Sequence, residues 1–284
     1  MSYNVIKSFD LSGKVAAVTG GAGVLCGAMA EALAEMDVKV AILDINKEKL
    51  EERKEIITRA GGTAETYICD VLSEESLQKA YSAISESWGA PDILINGAGG
   101  NHKKGTTDNE FFEPGDLGSG EIKSFFDLDV EGFRWVFDLN FFGTFLVTKV
   151  FARGMAQKQC GTILNVSSMN AFTPLTKIPA YASAKAAVSN FTKWLAVHFA
   201  HTGIRVNAIA PGFMMTEQLR YLHIDQETGE PTPRAKKVLA HTPMGRYGEP
   251  EELLGTVVWL LSDASKFVTG NVVAIDGGFS SYTI

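Results

Sequence analysis

Tyr181 and Lys185 stand four residues apart in the run AYASAK, at the start of an Ala-rich helical pattern. That spacing brings both side chains out on one face, one turn from each other. The ammonium is expected to stabilise a phenolate and draw the tyrosine down from its usual value of about 10 toward neutrality. A tyrosine so placed can give or take a proton at working pH. Ser168 lies just beyond the apolar run GTILNVS, where its hydroxyl can point across the same cleft toward a carbonyl oxygen. Asn140, in FDLNFFGTF, is a polar residue in a strongly apolar stretch and needs partners, which means either local backbone bonds or a water held near the site. Alone, Tyr-x-x-x-Lys reads as an ordinary half-buried helix face. Its company upstream decides otherwise.

The elements that must position these groups are seven apolar runs with helical patterns between them: KVAAVTG, VKVAIL, ETYICDV, DILINGAG, TILNVS, IRVNAIAPG and NVVAIDGG. Runs without alternation fit strands buried on both faces, so the pattern predicts a doubly wound α/β fold around a parallel sheet. In the first unit, Lys14 to Val18 leads into TGGAGVLCGAMAEALAEM, a Gly-rich turn that opens an amphipathic helix with Met29, Leu33 and Met36 at core spacing. Gly20 and Gly21 let the chain turn sharply, and the helix start offers unpaired N–H groups to a pyrophosphate. Asp44 closes the second run, where a carboxylate accepts from ribose hydroxyls and repels a 2′-phosphate; NAD is favoured over NADP. Asp70 sits equally well at an adenine edge or as a cap for the turn before Ser73. Asn96, Gly97, Ala98 and Gly99 are small enough to let the chain pass beside a flat ring.

The chain has 284 residues, 45% of them hydrophobic, which suits a single α/β domain. A net charge of −7 argues against a nucleic-acid surface and for a small-molecule partner. The start, MSYNVIKSFDLSGK, lacks a signal-peptide pattern, no long apolar span suggests a membrane crossing, and three cysteines without metal-ligand spacing imply reduced thiols. A cytoplasmic protein is expected. The helix Asn46 to Arg59 is densely charged and reads as a solvated face. Residues 101–128 lose periodicity and form an irregular insertion near the site, and 212–248, interrupted by Gly229, Pro231 and Pro233, read as a mobile lid. The helices Glu131 to Gln157 and Ala180 to His201 carry aromatic and aliphatic side chains on more than one face, as helices packed against a partner subunit do.

TGGAGVLCG, NGAGG, Asn140, Ser168, the Tyr181/Lys185 pair and PGFMMT together resemble the short-chain dehydrogenase/reductase family over nearly the whole chain. The resemblance implies a single Rossmann-type domain with a seven-stranded sheet, a homotetramer, and a catalytic tetrad at Asn140, Ser168, Tyr181 and Lys185. In that tetrad Lys185 also holds the nicotinamide ribose and Asn140 anchors a water that relays protons. Cofactor contacts are assigned to Gly20, Gly21, Gly23, Val24 and Leu25, to Asp44, Asp70 and Val71, and to residues 96–99. Pro211, Gly212, Met214 and Thr216 complete them. The family's turn is TG-x-x-x-G-x-G, whereas Val24 and Cys26 stand here in the second and third glycine positions.

More narrowly, NGAGGNH, TTDNEFF, SSMNAFTPLTKIPAY, WLAVHFA and RAKKVLAHTPMGRYGEPEELLG resemble the branch of that family that acts as D-mannonate oxidoreductase, or fructuronate reductase. Gluconate 5-dehydrogenases and other polyol or 3-oxoacyl reductases share the scaffold, and a non-catalytic NAD-binding redox sensor is the alternative from another class. A hexuronate needs cations and amides around it. Asn101, His102, Ser168, Asn170 and Lys177 are the expected substrate contacts, with Lys103, Met169 and Arg246 as further candidates in the flanking loops.

Overall fold

The computed structural model describes residues 4–283. Seven strands form one parallel sheet in the order β3-β2-β1-β4-β5-β6-β7. They are β1 Val15–Thr19, β2 Lys39–Asp44, β3 Thr63–Ile68, β4 Ile93–Asn96, β5 Gly161–Val166, β6 Ile204–Pro211 and β7 Val272–Ile275. The helices are α1 Val24–Glu35, α2 Lys47–Arg59, α3 Glu74–Trp88, α4 Val130–Phe137, α5 Gly143–Lys158, α6 Pro179–His198, α7 Glu217–His223, α8 Pro233–His241 and α9 Leu254–Leu261.

Strand β1 shows why the runs are continuously apolar. All five of its residues are buried, with Ala16 and Val18 in a core shared with α1 and α9, and Val15 and Ala17 in a second core shared with α3 and α5. A side chain on either face therefore leaves water. The strand order reverses between β1 and β4, so their carboxyl ends open a crevice at the topological switch point.

The expected helix Glu131 to Gln157 is observed as one continuous segment, Val130–Lys158, with a π-helical turn at Asp138–Phe142 between α4 and α5. Contrary to the expectation of no long apolar span, this segment is long and apolar enough to cross a bilayer by length and composition alone, although half of its most apolar window is buried within the protein. Helix α6 starts at Pro179, the residue best suited to the first helical position. Residues 101–128 contain only short 3-10 turns, as their lost periodicity predicts. The segment 212–248 includes α7 and α8, with Gly229 and Pro231 between them and Pro233 opening α8.

Candidate active site

The tetrad candidates converge at the carboxyl edge of the sheet. Ser168 follows β5, Tyr181 and Lys185 lie on the first turns of α6, and Asn140 sits inside the π-helical turn. A π turn inserts an extra residue and re-aims its side chains, and such turns gather at functional sites. Asn140 is fully buried. Its Nδ2 donates to the carbonyls of Gly100 (2.7 Å) and Val136 (2.8 Å), and its Oδ1 accepts from Gly100 N at 3.2 Å. The Asn140 side chain is thus bonded to backbone both locally, at Val136, and across the crevice wall, at Gly100. A Cβ on Gly99 would lie 2.6 Å from Asn140 Oδ1 and 3.2 Å from Lys185 Nζ, so the absence of a side chain there lets these two groups share one wall.

Lys185 is 4% exposed, and its Nζ donates to Val166 O at 2.8 Å. Burial pulls its pKa down to about 8, against a smaller upward pull from Cys26. The phenol of Tyr181 does not behave as its spacing from Lys185 predicts. Burial pushes its pKa above the usual value, and the hydrogen bond with Ser168 opposes this only in part. The reason is geometric: the ammonium lies over the ring, 5.6 Å from its centroid, and is turned toward Val166 O. The resting phenol is therefore protonated.

On the other side of the crevice, Gly20 has φ +65°, and a Cβ there would lie 2.9 Å from Ala98 Cα and N. The loops after β1 and β4 thus approach more closely than any side chain would allow. Thr19 Oγ1 ties them together by accepting from Gly97 N (3.1 Å) and Ala98 N (3.4 Å). Asp44 accepts from Ala22 N at 3.3 Å and Asn46 N at 3.0 Å, which sets its carboxylate beside the Gly-rich turn. Gly23 caps α1, with Val24 and Leu25 as its first residues, and leaves their N–H groups facing outward. This cradle fits a dinucleotide: a backbone nest for phosphates, a carboxylate at the end of β2, and close-packed small residues after β4.

Cys26, in the third glycine position, is accommodated. Its Sγ fills the space that a Cβ on Gly97 would take, so Gly97 supplies the room that a glycine at position 26 would otherwise provide. Burial pushes the Cys26 thiol up to about 12 even though Lys185 pulls the other way, so it is an inert packing group.

Several assigned contacts have other work. The Asn96 side chain turns into the interior, donating to Thr148 Oγ1 (2.9 Å) and Asn165 Oδ1 (2.8 Å), while Asn165 donates to Thr192. Val71 packs in the core against Gly143, and Asp70 caps its own turn through Leu72 N at 2.9 Å. The Asn96 Oδ1 is left buried without a partner. Pro211 ends β6, Gly212 N donates to Ile275 O at 2.9 Å, Met214 is buried beside Gly248, and Thr216 caps α7 through Leu219 N.

Of the substrate candidates, Asn101 donates to Thr106 Oγ1 at 3.2 Å, and His102 accepts from Lys104 N while its ring lies 5.2 Å from that of Trp135. Asn101 is engaged inside its own loop, and His102 both there and against α4. Arg246 is held by both oxygens of Glu252, at 2.6 and 2.7 Å. Asn170 is nearly buried, donates its backbone N–H to Ser168 Oγ, and leaves its Oδ1 without a partner. That vacant acceptor marks it as the strongest of the amide candidates. Lys177 lies on the loop before α6, four residues ahead of Tyr181.

Sequence reading overlooked Thr19 and the pair Ser167–Ser189, whose hydroxyls lie 2.6 Å apart while Ser167 also donates to Lys185 O, fastening α6 to β5. Single hydroxyls without a spacing pattern carry no signal in sequence.

Residues 23–280 match the family model described as Enoyl-(Acyl carrier protein) reductase. The chain belongs to the short-chain dehydrogenase/reductase family. Within that family, it is 51% identical over 275 residues, 96% of this chain and 97% of the other, to a Bacillus subtilis protein named "Uncharacterized oxidoreductase UxuB". A Haemophilus influenzae protein solved with bound NAD and provisionally named a D-mannonate oxidoreductase is 50% identical, with a TM-score of 0.92 and 99% of each chain covered. A protein of Agrobacterium tumefaciens provisionally named a gluconate dehydrogenase is 30% identical, with a TM-score of 0.84 over 97% of this chain and 99% of that one. The short-chain dehydrogenase/reductase fold and an oxidoreductase function are thereby shown for this chain.

Proposed function

We propose that this protein is an NAD-dependent oxidoreductase that interconverts a keto sugar acid and its hydroxy acid, with D-fructuronate and D-mannonate as the pair. The observation that carries the reading is the placement of Tyr181, Ser168 and Lys185 beside a crevice whose ribose end is marked by Asp44. The likeness to the NAD-bound H. influenzae protein supports both cofactor and substrate.

NADH, when bound, supplies the hydride for the ketone carbon. Tyr181 donates its proton to the carbonyl oxygen, a role that fits a phenol held protonated by burial. Ser168 donates a hydrogen bond to the same oxygen as charge develops on it, a contribution of about 3 kcal/mol for a well-placed donor. Lys185 lines the wall shared with Asn140 and Gly99, where its N–H groups can hold a ribose hydroxyl. Asn170 offers its amide to a substrate hydroxyl.

The test is a panel of keto sugar acids followed through NADH absorbance, with fructuronate expected to turn over fastest. A preference for 5-ketogluconate would favour the gluconate-dehydrogenase reading, which the A. tumefaciens likeness supports. Binding of NADH with no turnover of any ketone would favour a redox sensor.

We also propose that α5 and α6 form a subunit interface in a homotetramer. An apolar groove of about 270 Å³ runs between them, lined by Phe145, Phe191, Trp194 and Phe199 among others, away from the catalytic cleft. Sedimentation of a Trp194→Glu variant checks this: smaller species are expected, and an unchanged tetramer removes the groove from the interface.

A further inference from the structure

Charged side chains from three separate segments meet where the insertion, the loop before α6 and the start of α8 come together. Lys237 Nζ, on α8, holds the two carboxylate oxygens of Glu110, in the insertion, at 3.1 and 3.0 Å. Lys237 chiefly, then Lys177 and Arg234, draw the Glu110 carboxyl below its ordinary range. The backbone fixes this meeting, since Thr107 N donates to Lys177 O at 2.9 Å and Thr232 N donates to His223 O at 2.9 Å. His223 Nδ1 in turn lies 2.7 Å from Tyr247 OH, and both residues feel the charge of Arg234.

One carboxylate is thus paired with Lys237 and feels the charge of two further cations, Lys177 and Arg234, in a chain whose net charge is −7. Among the described residues, Lys237 is paired with Glu110 and Arg246 with Glu252, whereas neither Lys177 nor Arg234 makes a direct ion pair or side-chain hydrogen bond. Lys177 is also held at φ +74°, a left-handed conformation that costs a lysine free energy and that clusters at binding sites. It lies four residues before Tyr181, within about 14 Å along the chain. The insertion is fixed on the same rim, because a Cβ on Gly105 would touch Ala180, Tyr181's neighbour.

We propose that Lys177, Arg234 and Lys237 form an anion seat that takes the carboxylate of the substrate, with Glu110 as its built-in counter-ion. The seat sets which end of a keto acid faces away from Tyr181, and Glu110 keeps the cations together until a substrate carboxylate competes for them. This deepens the sugar-acid reading above and rests on it for the position of the reacting carbonyl.

The test measures KM for D-fructuronate and for 5-ketogluconate in the parent, in Lys177→Gln/Arg234→Gln, in Arg234→Gln, in Arg234→Lys and in Glu110→Gln, with melting temperatures as a check on folding. The double variant is expected to raise KM for the accepted keto acid at least ten-fold and to flatten its dependence on added NaCl. Glu110→Gln is expected to lower KM several-fold, and Arg234→Lys to recover most of the loss seen with Arg234→Gln. A double variant that folds and keeps the parental KM for fructuronate overturns the seat and leaves the sugar-acid assignment standing. Turnover of 5-ketogluconate alone, with KM still governed by these residues, overturns fructuronate as substrate and supports the seat.

Discussion

On the floor of the cleft, Asn140, Ser168 and Lys185 are almost wholly buried, and each has a backbone partner within 3.2 Å. Among the charged groups proposed for its rim, Glu110, Arg234 and Lys237 are exposed and Lys177 is half-buried, and the one direct contact, Lys237 with Glu110, runs between side chains on separate segments. The floor has one arrangement because moving any member strands a buried polar group. The rim can rearrange at small cost, because water replaces whatever contact is lost. Chemistry that is constant across a family belongs on the first kind of surface and substrate choice on the second.

The largest effect should come from the floor. Tyr181→Phe removes the proposed proton donor while keeping the ring that packs against Lys185, so turnover is expected to fall by about 10³-fold or more with NADH affinity little changed. Stopped-flow NADH oxidation and fluorescence titration measure the two separately. Unchanged turnover would remove Tyr181 from the mechanism.

Lys185 comes next, through stability. Its folded pKa of about 8 lies below the ordinary 10.5, so the unfolded chain binds more protons between those values. Stability must then rise with pH from about 8 to about 10.5, and the cost of burying the charge is fully present below pH 8. That cost is on the order of 3 kcal/mol. Lys185→Met should flatten this part of the stability curve in denaturant titrations. A slope that persists in the variant would assign it to another group.

Asp44 stands between floor and rim, half-buried and tied to two backbone N–H groups. Asp44→Ala removes the carboxylate proposed to accept from ribose and to repel a 2′-phosphate, so the preference for NADH over NADPH is expected to fall about ten-fold or more. A parent protein that already prefers NADPH would contradict this role.

The same contrast explains what could be read from sequence. All seven strands were visible because burial on both faces leaves continuous apolar runs, and the Tyr181/Lys185 pair because helical spacing is a local property. The identity of Asp44 as a strand-terminal carboxylate was visible for the same reason. What long-range geometry decides was hidden. The i, i+4 spacing puts Lys185 beside Tyr181 but says neither that Nζ turns to Val166 O nor that burial outweighs the Ser168 hydrogen bond and raises the phenol where a fall was expected. Asn96 is assigned to the cofactor from its place in NGAGG, and sequence does not show that its amide also donates to Thr148 and Asn165, more than fifty residues away. The π turn at Asn140 has no sequence signature, being a product of packing. Arg234 and Glu110 are far apart in sequence and meet only through tertiary structure.

The smallest effect separates two arginines of the rim. Arg246 is gripped by Glu252, whose carboxyl that grip holds down to about 2, and this pair closes on itself beside Tyr247 O. Its charge is therefore unavailable to a substrate anion, whereas that of Arg234 is open. Arg246→Gln should leave KM for a keto sugar acid within about two-fold of the parent, since an exposed ion pair of this kind contributes little. Arg234→Gln, in the same assay and salt, should raise it several-fold more. Because the two residues carry equal charge and lie on the same segment, a general weakening of the electrostatic field would move both values together. Equal effects from the two variants would mean that the rim attracts anions by its summed charge and that no particular arginine meets the carboxylate.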